Sequence, residues 1–167
     1  QGTPVPSPRE SGRPAPAWTL LDVQPQSCGV GQHYGLDAFR GRVTMVVLLS
    51  ATCGYCWGQA QKLEELSMQL AAADAPVHIV ILNQAGTEGS AGELAQRTSL
   101  PIFQDTRDVN GWLLHAGHKD DFNIYDAEGN LITSLRAHDG AVTNLSAPDG
   151  FTNVKNALLA ALGRPKE

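Results

Sequence analysis

Two cysteines separated by two residues, Cys53 and Cys56, are the side chains of this sequence best suited to chemistry. A thiolate attacks disulfides and peroxides, and a second thiol one helical turn away can close a disulfide with the first. The apolar run 46–49 ends just before the pair, and helical spacing of apolar residues begins just after it, over residues 57–70. We therefore expect a buried strand that delivers Cys53 to a helix N-terminus, where free N–H groups and the helix dipole favour a thiolate.

The elements around the pair predict how it is positioned. A second apolar run, residues 77–83, follows the helix, and strand, helix and strand in this order predict a right-handed unit with parallel strands. Alternating segments at 122–126 and 131–135 flank a turn and predict a β-hairpin, and a final helix is expected from about residue 151 to 162. This order predicts an α/β, thioredoxin-like fold with a central mixed sheet flanked by helices.

Composition divides the chain into one domain and two tails. Residues 1–14 are rich in Pro, Ser, Gly and Arg without apolar periodicity, which predicts a flexible N-terminal tail. Residues 15–163 form the expected thioredoxin-like domain with its N-terminal extension, and residues 164–167 form a C-terminal tail. Short helices and one short strand are expected between the second apolar run and the hairpin.

Charge and hydropathy exclude two classes of partner. The net charge is -5 and there is no cluster of Lys and Arg, so a nucleic-acid partner is not expected. No apolar run approaches the roughly 20 residues that a membrane helix requires.

Three cysteines are too few for a disulfide-stapled scaffold. The odd one, Cys28, is interpreted as a loop residue in preference to a redox or dimerising one, and Asn144 begins a triplet that fits a glycosylation acceptor.

Several motifs resemble the N-terminal domain of selenoprotein P, and the similarity extends over roughly residues 14–162. They are Pro16-Ala17-Trp18, Val43-Thr44, Gln61-Lys62-Leu63-Glu64-Glu65-Leu66 and, most specifically, Lys119-Asp120-Asp121-Phe122-Asn123-Ile124-Tyr125-Asp126. The resemblance implies a thioredoxin-like redox domain that is secreted or extracytoplasmic, with its signal segment removed. It also implies a cysteine-containing homologue, in which Cys53 occupies the place of the selenocysteine of the animal protein and Cys56 matches the second position.

The leading functional hypothesis is a thiol-disulfide oxidoreductase or thiol-dependent peroxidase. Cys53 is the expected nucleophile and Cys56 the resolving residue, so the redox-active disulfide replaces any other cofactor. The expected substrates are a disulfide-containing protein, a small thiol or a peroxide, and an external reductant must restore the pair. The competing hypothesis is a non-enzymatic module that binds a metal or a partner on the same scaffold.

A fainter resemblance is to glutathione peroxidase. Cys53-Gly54-Tyr55 and Asn83-Gln84 stand where that family has its catalytic residue and the end of its next strand. Because both lie at carboxyl ends of adjacent parallel strands, the Gln84 amide is placed to hydrogen-bond the sulfur of Cys53. The Trp-Asn pair that completes the peroxidase site has no counterpart near His118 and Lys119. An equally weighted interpretation is that Asn83-Gln84 is a polar strand end.

Asp120 is the main departure from ordinary thioredoxins. Counting back from the turn at Gly129 places it where those proteins have a cis-proline beside the disulfide. A carboxylate there raises a thiol pKa by like-charge repulsion, unless Lys119 or His118 offsets it. Two alternatives stay open: Asp120 is either a site residue or a solvated loop acid, and His118 is either an acid/base partner of Cys53 or a surface imidazole.

A metal site is the alternative to redox chemistry at the cysteine pair. Cys53 and Cys56 supply half of a zinc ligand set, and His115 with His118 could supply the other half. A single Cys-x-x-Cys after a strand is more often redox-active than zinc-binding, so the metal site is the less favoured hypothesis.

Overall fold

The structure, a computed structural model, describes residues 10–167. One seven-stranded sheet forms the centre of the described chain, in the order β2-β1-β5-β4-β3-β6-β7. Its strands are β1 (Leu20–Asp22), β2 (His33–Tyr34), β3 (Thr44–Leu49), β4 (His78–Asn83), β5 (Ile102–Gln104), β6 (Phe122–Tyr125) and β7 (Leu131–Leu135). The α-helices are α1 (Gly54–Ala72), α2 (Ala91–Ala95), α3 (Gly111–Leu114) and α4 (Pro148–Ala161).

Strand β3 occupies the interior of the sheet and leads to the cysteine pair. It pairs in parallel with β4 and antiparallel with β6, and all six of its residues are buried. Alternate residues serve different layers: Val47 packs in the cluster that holds α1 and α4, while Val46 packs with Trp18 on the opposite face. Because both faces are covered, the strand is continuously apolar from Met45 to Leu49 instead of alternating, as its sequence predicts.

Helix α1 packs one apolar stripe on the sheet and begins directly after the first cysteine. Leu63, Leu66 and Leu70 on this stripe are fully buried. Cys53 is the N-cap residue, with extended backbone angles φ -106° and ψ 116°. The predicted junction of strand, thiol pair and helix is therefore present, and the parallel pairing of β3 with β4 completes the expected unit.

The hairpin is formed as predicted, whereas the final helix begins earlier in the sequence than predicted. Strands β6 and β7 pair antiparallel, with a register shift between Ile124 and Tyr125. Helix α4 begins earlier than residue 151 because Pro148 occupies the first turn, where its missing N–H is not needed. The short edge strand β2 follows the loop that contains Cys28 and pairs antiparallel with β1.

The chain termini contact the domain beyond the predicted boundaries. The Gly12 N–H donates to the Leu131 carbonyl at 2.7 Å, so residues of the predicted tail join the hairpin. The rest of that tail, residues 1–9, lies outside the described residues. At the other end, the Glu167 N–H donates to Asn156 Oδ1 at 2.9 Å. Within residues 10–167, no helix combines the length and apolarity needed to cross a membrane.

Candidate functional site

Cys53 lies half-buried at the start of α1 and contacts a cation. Lys119 Nζ donates to its Sγ at 3.2 Å. Burial alone would raise the pKa of this thiol, but hydrogen bonds from the backbone and thiol of Cys56 and the ammonium of Lys119 outweigh it, so the pKa of Cys53 is lowered. Of the two sulfurs, Cys53 is therefore the one that forms a thiolate more readily.

Cys56 lies one turn further along the helix and is fully buried. The Ser50 N–H donates to its Sγ at 3.4 Å, and the thiol donates to Asp120 Oδ1 at 3.5 Å. Burial raises the pKa of Cys56 well above its ordinary value, and the charge of Asp120 raises it further. Cys56 therefore stays protonated at a pH at which Cys53 ionises.

Asp120 is placed beside Cys56 by the loop that precedes β6. Its backbone N–H donates to the Leu48 carbonyl at 2.8 Å, and its φ of 70° turns the chain there. The side chain is 13% exposed, and Lys119 Nζ lies 3.8 Å from its Oδ2. Burial raises the pKa of Asp120, although Cys56 and Lys119 partly oppose this, so the carboxylate is a suitable proton acceptor at the buried sulfur.

A buried ion pair anchors this loop. Asp121 is fully buried, and its Oδ2 accepts hydrogen bonds from Arg136 Nη1 at 2.6 Å and from the His118 N–H at 2.7 Å. Arg136 Nη1 also donates to the Ala116 carbonyl at 3.0 Å. Sequence reasoning missed Arg136, because no local pattern connects it to a loop 15 positions earlier in the chain.

Asn83, and not Gln84, supports the loop that carries the cysteines. Its buried Oδ1 accepts from the Ala51 N–H at 2.9 Å, and its Nδ2 donates to Gln104 Oε1 at 2.7 Å. Gln84 makes its hydrogen bonds through the backbone, with its N–H donating to Leu49. Across the described residues, the Gln84 side chain has no hydrogen bond to Cys53, so the expected amide–sulfur contact is not formed.

The residues between the cysteines leave the pair accessible. Gly54 is exposed as the first residue of α1, and Tyr55 is 44% exposed. Burial, together with the charge of Asp120, raises the pKa of Tyr55. Trp57 follows the pair, and its Nε1 donates to the Ala51 carbonyl at 2.7 Å while Arg97 covers its ring at 4.6 Å from the centroid. The aromatic side chains therefore border the thiols without closing the site.

His115 belongs to the core and not to a zinc set. The Trp18 indole N–H donates to His115 Nε2 at 3.0 Å, so Nδ1 carries the proton of the neutral ring and donates to the Tyr125 hydroxyl at 2.7 Å. Burial, with the nearby charge of Arg136, lowers the pKa of His115 to about 3. Both nitrogens are thus engaged away from the cysteines.

His118 is exposed and faces a different histidine. Its ring centroid lies 4.4 Å from that of His138, and it makes no hydrogen bond to Cys53 within the described chain. The structure therefore does not assemble the alternative zinc set of Cys53, Cys56, His115 and His118. Cys28 is an exposed thiol in the loop between β1 and β2.

Comparison with known proteins identifies the family. The sequence matches the family described as "Selenoprotein P, N terminal region" over residues 10–138. The chain belongs to this family. Human selenoprotein P is 32% identical over 126 residues, which cover 72% of this chain and 30% of the human protein. The family expected from the Lys119–Asp126 motif is confirmed, and the matched region spans less than a third of that selenoprotein P.

Solved structures confirm the thioredoxin-like fold expected for this selenoprotein P domain. A Chlorobium tepidum protein assigned to the DsbE type of thiol:disulfide interchange proteins has a TM-score of 0.71 at 18% identity, covering 92% of this chain and 99% of that one. A secreted Mycobacterium tuberculosis disulfide oxidoreductase homologous to E. coli DsbE has a TM-score of 0.56 at 17% identity, covering 72% and 83%. The chain is therefore a module of thioredoxin-like fold.

Proposed function

We propose that this domain is a thiol-disulfide oxidoreductase in which Cys53 attacks and Cys56 resolves. The observation that supports this most strongly is the unequal environment of the two sulfurs. Lys119 contacts Cys53 at 3.2 Å, whereas Asp120 contacts the buried Cys56 at 3.5 Å. The cation favours the thiolate at the accessible position, and the carboxylate keeps the proton on the buried one.

The reaction with a disulfide then has two balanced steps. The Cys53 thiolate attacks one substrate sulfur, the substrate S–S bond breaks, and the other substrate sulfur leaves as a thiolate. Asp120 takes the proton of Cys56, whose sulfur attacks Sγ of Cys53 and releases the second substrate thiolate. The substrate gains two electrons, and the Cys53–Cys56 pair is oxidised to a disulfide.

A peroxide is the second candidate substrate. Attack of the Cys53 thiolate would break the O–O bond and release an alcohol or water, leaving a sulfenic acid on Cys53. Attack by Cys56 would expel water and give the same intramolecular disulfide. The Gln84 contact expected of a peroxidase is not formed, so we rank disulfides above peroxides as substrates.

The proposal includes an extracytoplasmic location and an external reductant. The M. tuberculosis protein of similar fold is secreted, and stable use of a disulfide cycle suits an oxidising compartment. Since the cycle leaves the pair oxidised, a dithiol or small thiol must return two electrons to it. The partner proteins we propose are those that carry accessible disulfides.

Single cysteine substitutions test the assignment. Cys53→Ser should abolish disulfide reduction in a turnover assay, because the attacking sulfur is lost. Cys56→Ser should accumulate a mixed disulfide with the substrate, visible as an added mass on the intact protein. Cys28→Ser is the matched control and should keep full activity, since Cys28 lies exposed in another loop. Undiminished turnover by Cys53→Ser would refute the proposal.

A fluorescence measurement separates catalysis from a binding role. Trp57 is part-buried and, like Cys53, packs against the core cluster that includes Cys56; its Nε1 is hydrogen-bonded to Ala51 in the turn before the pair. Closing the disulfide must move this turn, so Trp57 emission should change reversibly between reduced and oxidised protein. Constant emission, with thiol counts showing no change under graded thiol buffers, would favour a non-enzymatic binding module.

A further inference from the structure

A second cluster of potential ligands shares no residue with the redox pair but includes both ends of the loop segment that contacts it. One ligand atom each from His118, Asp121 and His138 lies within 4.8 Å of the other two. His118 and Asp121 flank the loop segment that contains Lys119 and Asp120, while His138 comes from the short turn that follows β7. The segments that precede and follow the β6–β7 hairpin therefore bring two imidazoles and one carboxylate together.

We propose that His118, Asp121 and His138 form a binding site for a borderline divalent cation such as Zn²⁺. Two imidazoles with one carboxylate are a ligand set that zinc accepts with an open fourth position for water. Imidazole also binds the neighbouring ions Co²⁺, Ni²⁺ and Cu²⁺, whereas Mg²⁺ and Ca²⁺ prefer oxygen ligands. The site is thus selective for ions that bind nitrogen.

The geometry needs only small movements of exposed side chains. Ligand atoms around one tetrahedral zinc ion lie roughly 3.3 Å apart, given Zn–N distances of about 2.0 Å. His118 Nδ1 is 4.0 Å from Asp121 Oδ2, and the two imidazole rings are 4.4 Å apart between centroids. The His118 side chain is 62% exposed and the His138 side chain 47%, so both rings are free to turn toward an ion.

Asp121 provides a second observation at Oδ1, which is not the oxygen that lies 4.0 Å from His118 Nδ1. It is fully buried, yet its Oδ1 has no hydrogen-bond partner in the part of the chain that the structure describes. Buried carboxylate oxygens normally receive a donor or a cation. Arg136 opposes cation binding at this carboxylate, because its Nη1 lies 2.6 Å from Oδ2 and already neutralises the negative charge. The carboxylate therefore contributes less to binding than the two imidazoles do.

The outer partners of the imidazoles fit the same interpretation. His138 Nε2 lies 3.2 Å from Asp139 Oδ1, and a carboxylate on one ring nitrogen is a common way of orienting a metal-binding histidine. The His118 N–H already donates to Asp121 Oδ2, which fixes the backbone between these two ligands. Because Lys119 and Asp120 lie between them, an ion bound here restrains the loop that contacts both sulfurs.

Metal titration of a sulfur-free variant tests the proposal. In the full chain carrying Cys53→Ser and Cys56→Ser, calorimetry with Zn²⁺ should still show one ion per chain, and Co²⁺ should give visible d–d absorption. Adding His118→Ala or His138→Ala should lower the affinity at least about tenfold, as expected for loss of one ligand. His33→Ala, which removes an exposed histidine on the edge strand β2, is the matched control and should leave affinity unchanged.

Three results would overturn the proposal. The first is no Zn²⁺ binding by the full chain. The second is binding that disappears when the two cysteines are replaced, which would assign the ion to the thiol pair. The third is unchanged affinity in both His118→Ala and His138→Ala. Circular dichroism of each variant separates loss of a ligand from loss of the fold. None of these outcomes depends on disulfide reductase activity, so this test is independent of the proposed function.

Discussion

Removing the charge of Lys119 should reduce the thiolate population of Cys53 by an amount that the structure bounds. Unit charges 3.2 Å apart interact with about 1.3 kcal/mol at the dielectric constant of water and about 5 kcal/mol at an effective constant of 20. The Lys119 side chain is 44% exposed, so solvent screening favours the lower value. About 1.3 kcal/mol corresponds to a roughly tenfold change in the equilibrium between thiol and thiolate.

The expected change in reaction rate is smaller than the change in thiolate population. The thiolate of a less acidic thiol is intrinsically more nucleophilic, with a Brønsted coefficient of about 0.4–0.5. A tenfold loss of thiolate therefore becomes a loss of about threefold in rate at a pH well below the thiol pKa. Lys119→Met should show this reduction in the rate constant for alkylation by iodoacetamide, with the tenfold change visible in ultraviolet thiolate absorbance.

A matched variant and a pH profile make this prediction refutable. Lys62→Met removes the same charge from α1, where Lys62 pairs with Glu65 away from the sulfurs, and should leave alkylation unchanged. At a pH above the thiol pKa the difference between Lys119→Met and the unaltered protein should vanish or reverse, because both are then thiolates. Identical pH profiles for the two proteins would show that the contact between Lys119 Nζ and Cys53 Sγ does not stabilise the thiolate.

Two further predictions concern Asp120 and His115. Asp120→Asn keeps the side-chain shape and tolerates the positive φ, but it removes the proton acceptor. Decay of the mixed disulfide should slow by about tenfold. Loss of a general base usually slows a reaction by about 100-fold, but Cys56 also becomes more acidic when the charge of Asp120 is removed, which offsets part of the loss. An unchanged decay rate would contradict the role of Asp120 as proton acceptor. His115 has a pKa of about 3 when folded and 6.5 when unfolded, so the unfolded chain binds the extra proton between these values. The free energy of unfolding should therefore fall as the pH drops from 6.5 toward 3, by at most on the order of 5 kcal/mol, and urea titrations of His115→Gln should show a flatter dependence.

The strand, thiol pair and helix could be predicted because each depends on residues close together in sequence. The apolar run of β3 and the helical spacing after Cys56 are local patterns, and they locate Cys53 at the N-cap without further information. The position of Asp120 could be predicted from the hairpin, because the sequence marks its turn at Gly129, where φ is 86° as glycine allows. Counting back from that turn led to a residue that contacts Cys56.

Contacts between distant segments could not be predicted in this way. Trp18 donates to His115 across 97 positions, and Asp121 pairs with Arg136 within the core. Such pairs depend on which strands lie next to each other and on which face each side chain is found, and periodicity gives neither. The same limit left the two interpretations of Asn83-Gln84 open: the strand end was located correctly, but the side chain that turns toward the cysteine loop is that of Asn83.

The loop before β6 shows that the location of a charge, and not only its presence, makes the environments of the two sulfurs unequal. Lys119 and Asp120 are adjacent and opposite in charge, so together they add almost no net charge to the site. Their side chains reach different sulfurs because Asp120 is held at Leu48 with a positive φ, while the Lys119 side chain extends over the exposed end of α1. A proline at position 120 would supply neither charge nor proton acceptor to Cys56. Cys56 would then lose its carboxylate partner while Lys119 still contacted Cys53, and deprotonation of Cys56 would depend on water or the substrate.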